Sequence, residues 1–256
     1  MNGGAPHARK LTPLYHRHLE LKARLHEEDG WMVPESYEGA ELELGRTADS
    51  CGVSDISTLA KIDIRGRRLD AFLLRTLGAS LAGRPGSTAP LRAATGNSGL
   101  AMRYLCRLAP DGALLVGYGR PSTGTVTPMD VDAIPQSEGV YLTNVSSVLA
   151  GINIVGPASP RVLSRLTEVD VDPEVFVNLS CVQAGLAKVN ALVVRFDLEL
   201  GDRPLPSYEV FVGADVAEYV WDAILSVDRG AVRPFGTSAG RLMRAGARMT
   251  AEEEAS

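Results

Sequence analysis

The sequence predicts an α+β fold from three observations. Apolar and polar residues alternate with the period of a half-buried strand, most clearly in Leu59 to Gly66, where Ile62 and Ile64 alternate with charged neighbours. Other segments carry apolar stripes with helical spacing. The two kinds of segment do not follow the regular strand–helix–strand rhythm of a parallel sheet, and no internal repeat is present. Strands and helices therefore mix without a doubly wound order.

Composition limits the possible functions. The chain has 256 residues, 45% of them hydrophobic and 22% charged, which is enough apolar surface for a sizeable core. The formal net charge of −5 argues against nucleic acid as the main partner. No apolar run approaches the roughly 20 residues of a membrane helix, and residues 1–10 carry no secretory signal. Cys51, Cys106 and Cys181 are too far apart to indicate a disulfide framework or a zinc site. We expect a cytoplasmic protein.

The N-terminal part predicts a flexible tail over residues 1–10 and then two helices. Thr12 is a suitable cap and Pro13 a suitable first residue for a helix from Pro13 to Glu28. The Gly-Trp-Met-Val-Pro segment at 30–34 ends it. A second helix is predicted from Glu38 to Ser50.

The central part predicts the strand from Leu59 to Gly66 and a helix from Arg67 to Leu77. A loop is expected at Gly83 to Ser87. Two strands, Met102 to Leu108 and Ala113 to Tyr118, should form a hairpin around the intervening Ala-Pro-Asp-Gly turn.

The C-terminal part contains strand-like pieces from Val140 to Ile154. Further predicted elements are a short helix from Ser159 to Leu166, strands at Lys188 to Leu198 and Tyr208 to Val212, a helix from Asp215 to Leu225, and an acidic tail over 247–256. Ser159 and Asp215 are the expected helix caps, the latter within a capping box.

Several short motifs occur in a characteristic order between residues 11 and 246. They are Thr12-Pro13-Leu14-Tyr15 with Gly30-Trp31-Met32-Val33-Pro34, Val53-Ser54-Asp55-Ile56-Ser57 with Lys61-Ile62-Asp63-Ile64-Arg65-Gly66, Thr143-Asn144-Val145-Ser146 with Ile154-Val155-Gly156-Pro157-Ala158, Tyr208-Glu209-Val210-Phe211-Val212 with Trp221-Asp222-Ala223-Ile224-Leu225, and Arg233-Pro234-Phe235-Gly236. Together they resemble the glycine-cleavage T protein (aminomethyltransferase) family. The resemblance implies an α+β disc of two interleaved subdomains, with mixed or antiparallel sheets around a central funnel that holds tetrahydrofolate. In the family a C-terminal barrel domain usually follows, and we expect a short form without it.

The resemblance also suggests ligand-binding residues. Glu209 corresponds to the family's glutamate that accepts hydrogen bonds from the pterin edge of folate; the alternative is an outward-facing strand residue. Arg195 stands where the family has an arginine that can approach the ligand, or it is a structural arginine of a strand. Tyr118 lines the funnel in one interpretation and its rim in the other.

The family's proton-handling aspartate is missing from this sequence. The corresponding positions are Ala101 and Met102, and no carboxylate occurs between Asp70 and Asp111. Tyr104, Tyr118 and Asp55 are the remaining candidates for that chemistry, although the family's aspartate at the position of Asp55 is mainly structural. His16 and His18 do not share a helix face, so they do not indicate a metal pair.

Three functions are consistent with the resemblance. The first is a tetrahydrofolate-dependent transferase of methyl, methylene or hydroxymethyl units that acts without the usual aspartate. The second is a non-catalytic folate-binding or structural subunit, similar to the small subunit of heterotetrameric sarcosine oxidase. The third is a family member whose funnel binds another ligand. The expected partners are a folate and a protein that supplies the missing domain or donor, with neither nucleic acid nor membrane.

Overall fold

Two large β-sheets that face each other form the centre of the protein. A computed structural model describes residues 9–77, 80–81, 84–92, 102–117, 139–201 and 203–243. In chain order these residues form β1 (Lys10–Leu11), α1 (Tyr15–Glu20), β2 (Arg24–Glu28), β3 (Trp31–Ser36), α2 (Ala40–Asp49), β4 (Cys51–Asp55), β5 (Ala60–Gly66), α3 (Leu69–Leu77), β6 (Thr88–Arg92), β7 (Met102–Ala109), β8 (Gly112–Gly117), β9 (Val140–Asn144), β10 (Leu149–Val155), α4 (Ser159–Leu163), β11 (Ser180–Leu186), β12 (Val189–Arg195), β13 (Leu198–Leu200), β14 (Arg203–Leu205), β15 (Ser207–Gly213), α5 (Ala217–Val227) and β16 (Val232–Pro234). A helical segment over 237–243 follows.

The sheets are mainly antiparallel. The six-stranded sheet has the order β11-β12-β15-β10-β4-β16, and only the pairing of β16 with β4 is parallel. The five-stranded sheet has the order β6-β7-β8-β5-β9 and is antiparallel throughout. Smaller sheets join β1, β3 and β2, and β13 with β14. The α+β prediction with mixed and antiparallel sheets is therefore confirmed.

Period-two alternation gives each large sheet one helix-covered face and one face toward the other sheet. On the outer face of the six-stranded sheet, Val210 and Ile152 belong to the same buried cluster as Trp221 and Ile224 of α5. On the outer face of the five-stranded sheet, Ile62, Ile64, Leu105 and Leu115 pack with Leu69, Phe72 and Leu73 of α3. Between the sheets lies a third cluster, which includes Tyr104, Cys106, Val194 and Phe211. This space between the sheets contains the candidate site.

The long N-terminal helix prediction is wrong in its second half. The helix ends after Glu20, Lys22 adopts a left-handed conformation with φ of 57°, and Arg24–Glu28 form strand β2, paired antiparallel with β3. The turn between these strands uses the positive φ angles of Asp29 and Gly30. Burial explains why the helix ends early. The apolar stripe of the predicted helix is buried at Leu14 and His18, but Leu21 is exposed. Lys10, assigned to the flexible tail, pairs with Trp31 of β3.

The predicted side-chain caps are also wrong. Leu14, Ala158 and Val216 are the N-cap residues of α1, α4 and α5, and none makes a capping side-chain bond. Ser159 lies inside the first turn of α4, where its hydroxyl donates to the Gly156 carbonyl. Asp215 lies in a separate 3₁₀ turn before α5.

Several sequence predictions are confirmed with small boundary shifts. They include α2, α3, α5, strand β5, the β7–β8 hairpin, β12 and β15. The sequence patterns do not predict strands β4, β6, β11, β14 or β16. Among the described residues no helix is long and apolar enough to span a membrane. Residues 1–8 and 244–256 lie outside the described ranges.

Candidate functional site

A cavity of about 650 Å³ lies between the two large sheets. The five-stranded sheet contributes Tyr104 and Val116 to its wall, and the six-stranded sheet contributes Ser54, Asn153 and Glu209. Strand β3, with Trp31, and the helical segment over 237–243 complete the lining. The wall therefore combines flat aromatic rings with a few polar groups, as is usual for small-molecule sites.

Glu209 lies on the cavity face of β15. Its neighbours Tyr208 and Val210 belong to the helix-side cluster, so alternation directs Glu209 and Phe211 toward the space between the sheets. The Tyr104 hydroxyl, from β7 on the opposite sheet, donates a hydrogen bond to Oε2 of Glu209. The Tyr104 ring stacks on Phe196 with centroids 5.3 Å apart and an interplanar angle of 23°. The structure thus brings two predicted residues, Glu209 and Tyr104, into direct contact.

A row of polar side chains crosses the six-stranded sheet beside Glu209. Asn153 of β10 pairs with Glu209 in one direction and with Ser54 of β4 in the other. All three line the cavity. Asn153 was missed in the sequence, although a polar residue between Ile152 and Ile154 in a buried strand was a usable signal.

Asp55 lies at the end of β4 on another part of the wall. Its carboxylate is 1% exposed and accepts from His18 Nε2 at 2.9 Å and from the Ser57 amide at 2.8 Å. The Tyr37 hydroxyl lies 2.8 Å from His18 Nδ1. These contacts form a buried chain from Asp55 through His18 to Tyr37, which we call the Asp55 chain.

The environment of the Asp55 chain sets its charge. Burial alone would raise the pKa of Asp55, but the hydrogen bond and charge of His18 and the bond from Ser57 together lower that pKa below its ordinary value. Burial, followed by the negative charge of Asp55, raises the pKa of Tyr37. Asp55 is therefore ionised and Tyr37 protonated near neutral pH.

Sequence reasoning missed the role of His18. This residue is fully buried on α1, where its ring meets Trp221 edge to face with centroids 5.6 Å apart. Its partner Asp55 is 37 positions away in sequence, so no local spacing revealed the pair. In the described part of the chain, no group of three or more metal-ligating side chains comes together, and His18 serves the carboxylate instead.

Lys61 supports the turn that carries Asp55. Its fully buried ammonium donates to the carbonyls of Ser57 and Leu149, at 2.8 Å each. Burial lowers the pKa of Lys61 to about 8, while the charge of Asp55 opposes this shift. The contact with Ser57 links β5 to the end of β4.

Glu43 holds Gly236, a residue of the cavity lining, against the loop before α2. Its Oε1 accepts from the backbone amides of Tyr37, Glu38 and Gly39, and its Oε2 accepts from Gly236 at 2.8 Å. This one buried carboxylate therefore joins the loop before α2 to the segment that closes the cavity.

Arg195 is not among the described residues that line the cavity, and its predicted role in ligand binding stays a prediction. Val193 of β12 belongs to the helix-side cluster and Val194 to the cluster between the sheets, so Arg195 projects to the helix side. Its guanidinium forms a fork with Asp197, at 2.9 and 2.6 Å, and donates to the carbonyls of Pro173 and Phe176. These contacts tie the end of β12 to the segment that contains Pro173 and Phe176.

The remaining predicted positions fall where less is described. Tyr118 and Ala101 lie outside the described residues. Met102 begins β7, and only its backbone is described. Their roles stay predictions.

Comparison with known proteins shows what the chain is similar to. Residues 14–254 match the family model described as GCVT N-terminal domain. The aminomethyltransferase of Desulforamulus reducens is 27% identical over 238 residues, which cover 92% of this chain and 63% of that protein. The aminomethyltransferase of Mycobacterium bovis is 29% identical over 240 residues, covering 91% and 61%. The chain thus spans about three fifths of the length of these relatives.

Two solved structures share the fold. The glycine cleavage system aminomethyltransferase T of Bartonella henselae matches with a TM-score of 0.72 and 18% identity, over 90% of this chain and 60% of that one. A chain of the heterotetrameric sarcosine oxidase of Corynebacterium sp. U-96 matches with a TM-score of 0.57 and 17% identity, over 84% and 93%. At these identities the matches establish the fold alone.

Proposed function

This chain belongs to the GCVT N-terminal domain family, and from that premise we propose that it is a tetrahydrofolate-dependent one-carbon transferase. The cavity between the two large sheets is the proposed site. The unit transferred is a methyl, methylene or hydroxymethyl group carried by the folate.

The position of the Glu209 carboxylate in the cavity wall is the observation on which this proposal rests. A pterin presents several N–H donors along one edge, and a carboxylate held in a cavity can accept two of them in a fork. Glu209 is half-buried, lies on the cavity face of a central strand and is oriented by the Tyr104 hydroxyl. The stacked rings of Tyr104 and Phe196 beside it suit a flat heteroaromatic ligand.

The proposed chemistry requires a proton-handling group other than the family's aspartate. Tyr104 places a hydroxyl at the cavity wall, where it donates a hydrogen bond to Oε2 of Glu209. Asp55 lies at a second point of the wall, where its ionised carboxylate is held by the His18 ring and its side chain is 1% exposed. Both are general acid–base candidates, because each combines a titratable group with a place on the cavity.

A non-catalytic folate-binding subunit is the second candidate. The absence of any carboxylate between Asp70 and Asp111 favours it, because general acid–base help is typically worth about 10²- to 10⁴-fold in rate. The match to a chain of a heterotetrameric sarcosine oxidase over 93% of its length is consistent with a role beside a protein partner. Both candidates require folate in the same cavity.

Calorimetric titration with tetrahydrofolate tests the shared binding claim. We expect Glu209→Ala to weaken binding by about 1.5–3 kcal/mol, or roughly 10- to 150-fold, as for a lost hydrogen bond to a charged group. Glu199→Ala is the matched control, because Glu199 is exposed on β13 and does not line the cavity. Equal affinity of Glu209→Ala and the unmodified protein, with the fold intact, would remove Glu209 from the site.

A turnover assay separates the chemistry from the binding. Because Ala101 and Met102 replace the family's carboxylates, we expect no detectable glycine cleavage with the standard carrier protein and tetrahydrofolate. Robust turnover by the unmodified protein would contradict the claim that the usual aspartate is absent.

A further inference from the structure

Asn153 is a polar side chain of the cavity wall that the proposed function does not yet use. We infer that Asn153 recognises a ring carbonyl of the ligand, an inference that rests on the proposed folate site. The cavity would then select a 4-oxo heterocycle over its 4-amino analogue. This selectivity concerns which ring the cavity binds, and it does not depend on whether the protein is catalytic.

The position of Asn153 places its amide beside the Glu209 carboxylate. The two residues are directly paired across antiparallel strands β10 and β15, where Cα atoms lie about 4.5–5.5 Å apart. Ile152 and Ile154 pack on the helix side, so Asn153 projects into the space between the sheets. Both side chains can therefore meet one edge of the same ring.

A hydrogen bond with Ser207 holds the Asn153 amide in the orientation found in the structure. The Ser207 hydroxyl donates to Oδ1 of Asn153 at 3.0 Å. The Nδ2 group then carries two N–H donors, and within the described residues no acceptor contacts it. Asn153 as a whole residue is 8% exposed, and its Nδ2 is not among the buried side-chain atoms that lack a partner in the described part of the chain, so this donor is open to the cavity. A donor group that faces the cavity beside Glu209, with no acceptor among the described residues, suits a ligand acceptor.

The two side chains together form a defined hydrogen-bond pattern. A carboxylate such as that of Glu209 accepts hydrogen bonds, whereas the Nδ2 group of Asn153 only donates them. The complementary ligand edge has N–H donors next to a carbonyl oxygen, which is the 2-amino-4-oxo edge of a pterin. A 2,4-diamino ring would place an N–H donor against Nδ2 and leave both unpaired.

Paired titrations with folic acid and aminopterin, its 2,4-diamino analogue, test this inference. We expect the unmodified protein to favour folic acid by about 5- to 150-fold, the range for leaving one buried donor unpaired. Asn153→Asp offers acceptors in the same place and should shift the ratio toward aminopterin. Asn153→Ala should bring the ratio close to one. Asn190→Asp, an exposed amide on β12, is the matched control and should leave the ratio unchanged.

The possible failures are distinguishable. Glu209→Ala should weaken both ligands while preserving a preference for folic acid. If the unmodified protein binds neither ligand, the proposed folate site fails and the inference fails with it. Only the role of Asn153 is overturned if both ligands bind and the unmodified protein shows no preference or prefers aminopterin. The same holds if the affinity ratio of the unmodified protein is unchanged in folded Asn153→Asp and Asn153→Ala.

Discussion

Replacing His18 with alanine removes the partner of a carboxylate that is almost completely shielded from water. The Asp55 side chain is 1% exposed, and without His18 it would keep only the Ser57 amide of its two contacts described above. Breaking a buried pair by removing one partner typically destabilises a protein by about 3–5 kcal/mol. For a protein of this size, each kcal/mol shifts Tm by about 2–4 °C, so we expect a loss of roughly 6–20 °C.

Thermal and urea unfolding of matched variants measure this effect. His16→Ala is the control, because His16 is exposed on the same helix and should change stability by at most about 0.5 kcal/mol. His18→Gln keeps a donor and should recover part of the loss. If His18→Ala and His16→Ala unfold alike, the Asp55 chain is not a stabilising unit.

The pH dependence of the same variants gives a second test. The folded-state pKa of Asp55 lies below its ordinary value of 3.8, so the pair stabilises the protein above that value. The contribution is lost as the pH falls through the lowered pKa of Asp55. The stability difference between the unmodified protein and His18→Ala should therefore shrink in acid, and a difference that grows there would contradict the assignment.

Three further predictions follow from buried or cavity-lining groups. Burial lowers the pKa of Lys61 from 10.5 to about 8, so the unfolded state binds this proton more tightly than the folded state. As the pH increases from 8 to 10.5, the free energy of unfolding should rise by roughly 3 kcal/mol relative to Lys61→Met, as measured by urea titration. Parallel pH profiles of the two proteins would exclude this. Arg195→Lys should lower Tm without changing tetrahydrofolate affinity, and a weakened affinity with an intact fold would return Arg195 to the site. Trp31 lines the cavity whereas Trp221 is fully buried behind the six-stranded sheet. A tetrahydrofolate-induced fluorescence change should thus disappear in Trp31→Phe and persist in Trp221→Phe; the reverse result would place the ligand elsewhere.

Local patterns predicted the elements whose burial is one-sided. The alternation around Ile62 and Ile64 gave β5 correctly, because one face of that strand packs on α3. The Pro-Asp-Gly turn fixed the β7–β8 hairpin for a similarly local reason. The N-terminal helix failed because the pairing of β2 with β3 is a tertiary choice that overrides the apolar stripe beyond Glu20.

The site was harder to predict because its geometry depends on which face of the sheet each side chain projects from. In β12 both faces are buried, so the run Ala191–Val194 has no alternation that could show where Arg195 points. Glu209 was found through family resemblance, and its contact with Tyr104 joins strands of different sheets. The His18–Asp55 pair forms only when α1 packs near the end of β4.

A crystal structure of the protein with tetrahydrofolate would show directly whether the Glu209 carboxylate binds the pterin. We expect the pterin ring in the cavity between the two large sheets, with its N–H edge on the Glu209 carboxylate and its face near the stacked rings of Tyr104 and Phe196. Density for the ligand at any other surface, with Glu209 contacting only protein groups, would contradict this expectation.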